Sequence, residues 1–216
     1  MLPNIIASPR QSKQPARPLR VLHFVTGGFS GATQVALDLV RDAKADPEME
    51  SMLVLRRKRQ ADPARIQALC DEGLAVEVVQ GWSHFATVLN LVRVCRAFKP
   101  DVLVAHGFSE HLWGRYAGLL AKVPTLVHVE HNSRERYSWW RLAQARWLAQ
   151  RTALIVGCSE GVKERLLELG FAPERTVAIP NGVKLTPFED ASRVQPFAQR
   201  IPGIVMSARF ARQKDH

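Results

Sequence analysis

The chain has 216 residues, enough for one domain that buries roughly 70% of its unfolded surface and folds without disulfides or a structural metal. Its formal charge of +10 includes +4 from the first 20 residues, through Arg10, Lys13, Arg17 and Arg20, and a basic surface of this kind attracts phosphate-bearing partners. No run approaches membrane-spanning length, and the proline-punctuated amino end has no apolar core of the sort a signal peptide carries.

Residues 1–19 are therefore expected to be a disordered basic tail. From Arg20 onward, short apolar runs alternate with helix-length amphipathic ones. "RVLHFVT", "MLVLR", "LAVEVVQ", "DVLVAH", "TLVHVEH", "ALIVGCS" and "RTVAIPN" are short and rich in Val, Ile and Leu, so they predict strands. Several lack strict alternation, which implies a sheet covered on both faces. In "GATQVALDLVRDAK", Ala32, Val35, Ala36, Leu39, Val40 and Ala43 recur at helical spacing, as do Val88, Leu91, Val92 and Cys95 in "FATVLNLVRVCRAF". This order calls for an α/β fold: a doubly wound, Rossmann-like parallel sheet. Cys70, Cys95 and Cys158 flank or lie in apolar runs and are expected as buried free thiols, with no spacing that suggests a metal.

In such sheets, ligands sit at the carboxyl ends of the strands. Gly27, Gly28 and Gly31 in "TGGFSGATQ" follow the first strand and precede a helix start, which suits an anion. No acidic residue ends the second strand, which disfavours a nicotinamide dinucleotide. His106 in "VAHGFSE" and His131 in "VEHNSRE" end successive predicted strands, where imidazole can bond a hydroxyl or phosphate or serve as a base. His23 and His128 fall inside strands and are expected to pack in the core. "RRKR" at 56–59 is expected to be a solvated loop. In "RERYSWWRLAQARWLAQR", Trp140 and Trp147 share one face, and Leu142, Ala145 and Ala149 another. A helix covering the sheet is the expectation there, with an anionic membrane surface as the alternative partner. From Gly182 the periodicity fades, and a linker at 183–201 leads to a last apolar run, "GIVMSA", and then to Arg209 and Lys214.

These residues, in this order, resemble the family 4 glycosyltransferases of the GT-B fold. "TGGFSGATQVALDLV" is similar to the family's first glycine loop and helix, "KPDVLVAHG" to its "xPDvvhxH" strand, and "TLVHVEHN" to the strand ending in its active-site histidine. "ALIVGCSEGVKERLLELG" followed by "RTVAIPNGV" is the most specific segment, and "GIVMSARFARQKDH" resembles the start of a donor domain. The resemblance implies the N-terminal half of a GT-B architecture: an acceptor-binding domain at 20–182 and the first strand and loop of a donor-binding domain at 202–216. It implies that Gly27, Gly28 and Gly31 approach the donor diphosphate and the acceptor, and that His131 is catalytic beside the transferred sugar. His106 becomes an acceptor-side candidate, while Arg209 and Lys214 would hold the departing diphosphate.

The implied reaction is sugar transfer with retention from a nucleotide-sugar substrate to a glycan or lipid-linked acceptor, in surface polysaccharide biosynthesis, with no metal and no cofactor. The implied setting is the cytoplasm, on or near the inner face of the membrane. Lys184 stands where the family has an acid, and Ala208 where it has glycine. The family's E-x7-E carboxylate pair has no counterpart here, so this chain by itself is expected to be inactive. Alternatives are a non-catalytic subunit paired with a separate donor domain, a basic membrane-binding module, and a nucleotide-sugar epimerase of the same architecture. The scattered basic residues lack aromatic strand platforms, which argues against nucleic acid. Self-association through residues 203–208 is expected if that strand is left exposed.

Overall fold

The computed structural model describes residues 17–59, 61–132, 137–182, 185, 197–199, 201 and 203. The chain divides into two compact units, Met1–Asn181 and Gly182–His216. Among the described residues, seven strands and six α-helices alternate within the first. These are β1 (Leu19–Thr26), α1 (Gly31–Ala43), β2 (Met49–Arg56), α2 (Pro63–Asp71), β3 (Ala75–Val79), α3 (His84–Phe98) and β4 (Val102–His106). They are followed by α4 (Phe108–Ala121), β5 (Thr125–Glu130), α5 (Trp139–Ala149), β6 (Leu154–Gly157), α6 (Glu160–Glu168) and β7 (Thr176–Ala178). All seven apolar runs that predict strands form them. They join one wholly parallel sheet in the order β3-β2-β1-β4-β5-β6-β7.

Each strand feeds both faces, which is why the runs read as nearly continuous apolar sequence. Leu22 and Phe24 of β1 pack with Leu91, Val92, Cys95 and Phe98 of α3 and with Ala117 of α4. Val25, on the opposite face, packs with Ala36, Leu37 and Val40 of α1 and Leu69 of α2. A third cluster joins Leu112, Ala145, Leu148, Ile155, Val162 and Leu166 of α4, α5, β6 and α6. The helices start on cue: Asp62, Ser83, Ser138 and Ser159 each cap an N-terminus by accepting a backbone N–H in the first turn. α4 approaches the sheet so closely that a Cβ at Gly114 would lie 2.8 Å from Ala105 Cβ and 2.9 Å from Phe24 Cδ1.

Several expectations are corrected. α1 buries Leu37 rather than Leu39, because its inward stripe runs through Thr33, Ala36, Leu37, Val40 and Ala43 and leaves Leu39 exposed. Cys70 is exposed and Cys158 half-buried, so Cys95 alone is a buried thiol; burial pushes it up to about 12. Arg56 is not part of a solvated loop: it closes β2 and is buried beside Glu110. The tail at 1–16 and most of residues 183–216, including Arg209, Lys214 and residues 204–208, lie outside the described residues.

Candidate functional site at the carboxyl edge of the sheet

β1 and β4 are neighbours in the sheet but not in sequence, so strand order reverses between them and their carboxyl ends open a crevice. The glycine loop closes it on the β1 side. Gly27 donates its N–H to Arg56 O at 2.8 Å, and a Cβ there would stand 2.6 Å from that same carbonyl. The left-handed position in the loop falls on Phe29 (φ 47°), whose ring lies under the Arg65 guanidinium at 4.2 Å. Buried Thr33 ties the loop to α1, donating to Thr26 O at 2.9 Å and accepting from Ser30 N–H at 3.2 Å. A Cβ at Gly31 would meet nothing within 4 Å, and one at Gly28 only Thr26 Oγ1 at 3.7 Å. Packing thus accounts for Gly27; at Gly28 and Gly31 the backbone borders open space.

His106 and His131 do meet, and a third imidazole joins them. His23 Nδ1 lies 3.1 Å from His106 Nε2, and His106 Nδ1 lies 3.2 Å from His131 Nε2. His23 shares the face of Val25, opposite Leu22 and Phe24, and His106 alternates with Ala105, so both rings project on the α1 face of the sheet. His23 is in register with Val104 and His106 with Val129, which places each histidine one strand over and two residues along from the next. That offset is about 8 Å between Cα atoms, a span that two imidazoles fill. Burial holds all three neutral: His23 falls to about 4, His106 drops well below the ordinary range, and His131 is lowered.

On the opposite face, a second polar chain reaches the same strand end. His111, Arg115, His128 and Glu130 are all buried there. Arg115 Nη2 donates to His111 Nδ1 at 2.6 Å, and because guanidinium can only donate, the His111 proton must sit on Nε2. That N–H faces Tyr137 Oη at 3.0 Å, and the Tyr137 hydroxyl is then free to donate to Glu130 Oε2 at 3.4 Å. Glu130 Oε1 accepts the backbone N–H of His131 at 3.0 Å. Burial raises Glu130 to about 7 even though backbone N–H groups of His131 and Asn132 and the Tyr137 hydroxyl favour its charge. His111, His128 and Glu130 offer ligand atoms within 4.8 Å of one another, yet they suit a cation poorly. The two imidazoles are stacked, centroids 4.1 Å apart and 24° between planes, so their in-plane lone pairs do not converge. Both His111 nitrogens are already engaged, one of them by a guanidinium.

A model of glycosyltransferase family 4 matches residues 29–186, which include α1, both strand-end histidines and the β6–α6–β7 segment. The chain belongs to glycosyltransferase family 4. A curated relative, the UDP-Gal:alpha-D-GlcNAc-diphosphoundecaprenol alpha-1,3-galactosyltransferase of Escherichia coli, is 28% identical over 128 residues, covering 55% of this chain and 32% of that protein. Among solved structures, HepE of Anabaena in complex with UDP superposes with a TM-score of 0.62 at 20% identity, over 78% of this chain and 45% of that one. The lipopolysaccharide outer core galactosyltransferase WaaB gives 0.59 at 14% identity, over 77% of this chain and 47% of that one. The UDP-GlcNAc 2-epimerase of Neisseria meningitidis gives 0.55 at 15%, over 76% of this chain and 47% of that one. The chain thus spans about a third of the curated relative and somewhat under half of these solved structures. A galactosyltransferase and an epimerase share the fold, and the family model that matches this chain is a glycosyltransferase one.

In this family 4 chain, sequence reasoning missed the residues that brace the site from behind. The signals that point to them are an acid, Glu130, within an apolar strand and an i, i+4 polar pair, His111 and Arg115, in α4, though neither names its partner. A basic rim also extends from β2. Arg56 pairs with Glu110 at 3.4 Å and contacts His84 Nδ1 at 3.2 Å, while Lys58 lies 3.6 Å from Glu110. Arg57, Lys58 and Arg59 line a cavity of about 720 Å³ with Ile66, Val78 and Trp82. Trp82, Phe85, Trp139 and Trp140 are exposed, and each lies in or beside the first turn of the helix that follows β3 or β5. α5 does cover the sheet, through Ala145, Leu148 and Ala149, and it turns its tryptophan stripe outward. No helix among the described residues is long and apolar enough to cross a membrane.

Proposed function

We propose that this chain is the acceptor-binding half of a sugar transferase that moves a hexose, galactose as first candidate, from a nucleoside diphosphate to a glycan or lipid-linked acceptor. The observation that carries the reading is the family match over residues 29–186 together with His106 and His131 on adjacent strand ends beside the glycine loop. Residues 20–182 would form the acceptor domain, 183–201 the linker and 202–216 the opening of the donor domain.

In the reaction, an acceptor hydroxyl oxygen bonds to the anomeric carbon while the bond from that carbon to the diphosphate oxygen breaks. The electron pair leaves with the diphosphate and the hydroxyl proton goes to a base. Gly28 and Gly31 border the space where the diphosphate and acceptor approach, with Gly27 seating their loop on β2 and the α1 N-terminus favouring negative charge. His131 stands beside the transferred sugar, where its neutral ring can hydrogen-bond a hydroxyl. Arg209 and Lys214 would stabilise the leaving diphosphate, where charge develops.

The test joins this chain to a family donor domain and measures transfer from UDP-galactose to a GlcNAc-diphosphate-lipid acceptor. His131→Ala should lower kcat by 100-fold or more with little change in acceptor binding. Transfer that is unaffected by His131→Ala would sink the assignment.

A second surface supports the lipid-linked choice. Exposed Trp82, Phe85, Trp139 and Trp140 share the strand-end side with Arg57, Lys58 and Arg59, a composition suited to the inner leaflet. Co-sedimentation with phosphatidylglycerol vesicles, lost at high salt and in Trp139→Ser/Trp140→Ser, is the expected result; no binding at low salt would remove this reading.

A further inference from the structure

The two strand-end histidines are linked to a third, His23, which belongs to neither the glycine loop nor the acceptor-side candidates. A neutral imidazole carries one N–H and one bare nitrogen. In the series His23 Nδ1···Nε2 His106 Nδ1···Nε2 His131, each link needs one proton. Only two neutral arrangements satisfy both links. In one, every ring carries its proton on Nε2; in the other, every ring carries it on Nδ1. Any mixed arrangement puts two N–H groups or two lone pairs face to face, in a place where His106 is 1% exposed and His23 5%. A buried polar group left without its partner costs about 1–3 kcal/mol, so mixed arrangements are suppressed.

We propose that His23 and His106 are positioning residues for His131, and that the three imidazoles act as one tautomeric unit spanning β1, β4 and β5. The consequence rests on the reading of His131 as the residue beside the transferred sugar. Its Nε2 is committed to His106, so Nδ1 is the nitrogen left for the ligand: a donor when the whole unit is protonated on Nδ1 and an acceptor when it is protonated on Nε2. His131 acting alone could change tautomer without its neighbours, whereas in the unit all three rings must change together.

Three further features support the unit. The backbone of His131 is held from the other face by Glu130, which Tyr137, His111 and Arg115 orient in turn, so ring and main chain are fixed independently. The His23 and His106 ring centroids lie 5.3 Å apart, tilted by 31°, and the His106 and His131 centroids 5.5 Å apart at 17°, which aims nitrogens at nitrogens rather than stacking faces. The arrangement with a cationic His106, which would donate at both ends, is opposed by burial that keeps this ring neutral.

The decisive measurement needs neither donor nor acceptor. Two-bond 15N–1H correlation spectra of the uniformly labelled full chain at pH 7.5 distinguish protonated from bare ring nitrogens. All three histidines are expected in the same tautomer; opposite tautomers in any two of them, or a charged ring, would overturn the proposal. His23→Phe supplies a second readout, since it removes a ring that is linked to His131 through His106. Without a partner for His106 Nε2 the balance between the two arrangements changes, and the protonated and bare nitrogen signals of His131 should shift with it, whereas a purely structural His23 would change stability and leave those signals in place. In the joined enzyme, His23→Phe should lower kcat with KM nearly unchanged. Matching tautomers with transfer indifferent to His131→Ala would leave the relay standing and remove the catalytic reading; mixed tautomers with a His131-dependent reaction would do the reverse.

Discussion

At the scale of single residues, the three glycines of the first loop separate by what their hydrogen atoms face. An alanine methyl at position 27 would lie 2.6 Å from Arg56 O, a backbone atom in the sheet that cannot swing aside. Gly27→Ala is expected to cost about 1–3 kcal/mol through overpacking, read as a lower denaturant midpoint. Gly31→Ala, at the first residue of α1 with open space beside it, should be neutral or gain up to about 1 kcal/mol from helix propensity. Equal shifts for the two would show that the loop is not seated on β2. Tyr137 makes a second residue-scale case. Its hydroxyl bond favours the charged form of Glu130, so Tyr137→Phe should raise the Glu130 carboxyl further above about 7. Carboxyl 13C titration reads that directly, and an unchanged or lower value would contradict the Arg115–His111–Tyr137–Glu130 order.

At the scale of elements, strands were legible and the bracing chains were not, for one physical reason. A strand buried on both faces writes a continuous apolar run into sequence, as "VLVAH" and "LIVG" do. α4 gives no such signal. His111, Leu112, Arg115 and Ala117 are all buried, so its inward side is polar and apolar together and no stripe stands out. The histidine series joins residues 83 and 25 positions apart, and nothing local in either segment announces the partner. The strand-end positions of His106 and His131 were readable from pattern; the ring behind them was not. α5 tests the division between the covering face and the outward one. Leu148 is fully buried, so Leu148→Ala should cost about 2–5 kcal/mol. Trp139→Ser/Trp140→Ser should stay within about 0.5 kcal/mol of the parent, because both rings are exposed. A large loss from the tryptophan pair would mean that they carry structure rather than contact.

At the scale of the molecule, so many buried imidazoles make stability a function of pH with a definite sign. His23, His106, His111 and His128 are all held neutral by burial, with His23 at about 4 and the other three well below the ordinary range. In the unfolded chain each takes up a proton near 6.5. As pH falls through that value the unfolded state binds protons that the folded state refuses, so stability drops, and for His23 it goes on dropping until about pH 4. Glu130 acts the other way. Its folded value of about 7 lies above the unfolded one, so its contribution is present below the unfolded carboxyl range and is lost as pH rises through 7. One carboxyl is set against four imidazoles, and a tenfold change in proton affinity is worth about 1.4 kcal/mol, so the histidines dominate below pH 6.5. Urea midpoints taken from pH 8 to pH 5 should therefore fall steeply below about 6.5; a flat profile would mean that the rings are not buried neutral. His128 sharpens the test. Among the described residues neither of its ring nitrogens is within hydrogen-bond distance of a partner, Nε2 standing 3.6 Å from Glu130 Oε2, and the ring is fully buried against Phe171 and His111. A ring of similar shape without polar atoms removes both that penalty and one of the four titrations. His128→Phe is expected to raise stability by about 1–2 kcal/mol at pH 7.5, and to raise it by more at pH 5.5, so the difference between the two midpoints carries the sign on its own. A variant less stable than the parent at both values would show that His128 makes a bond the fold depends on.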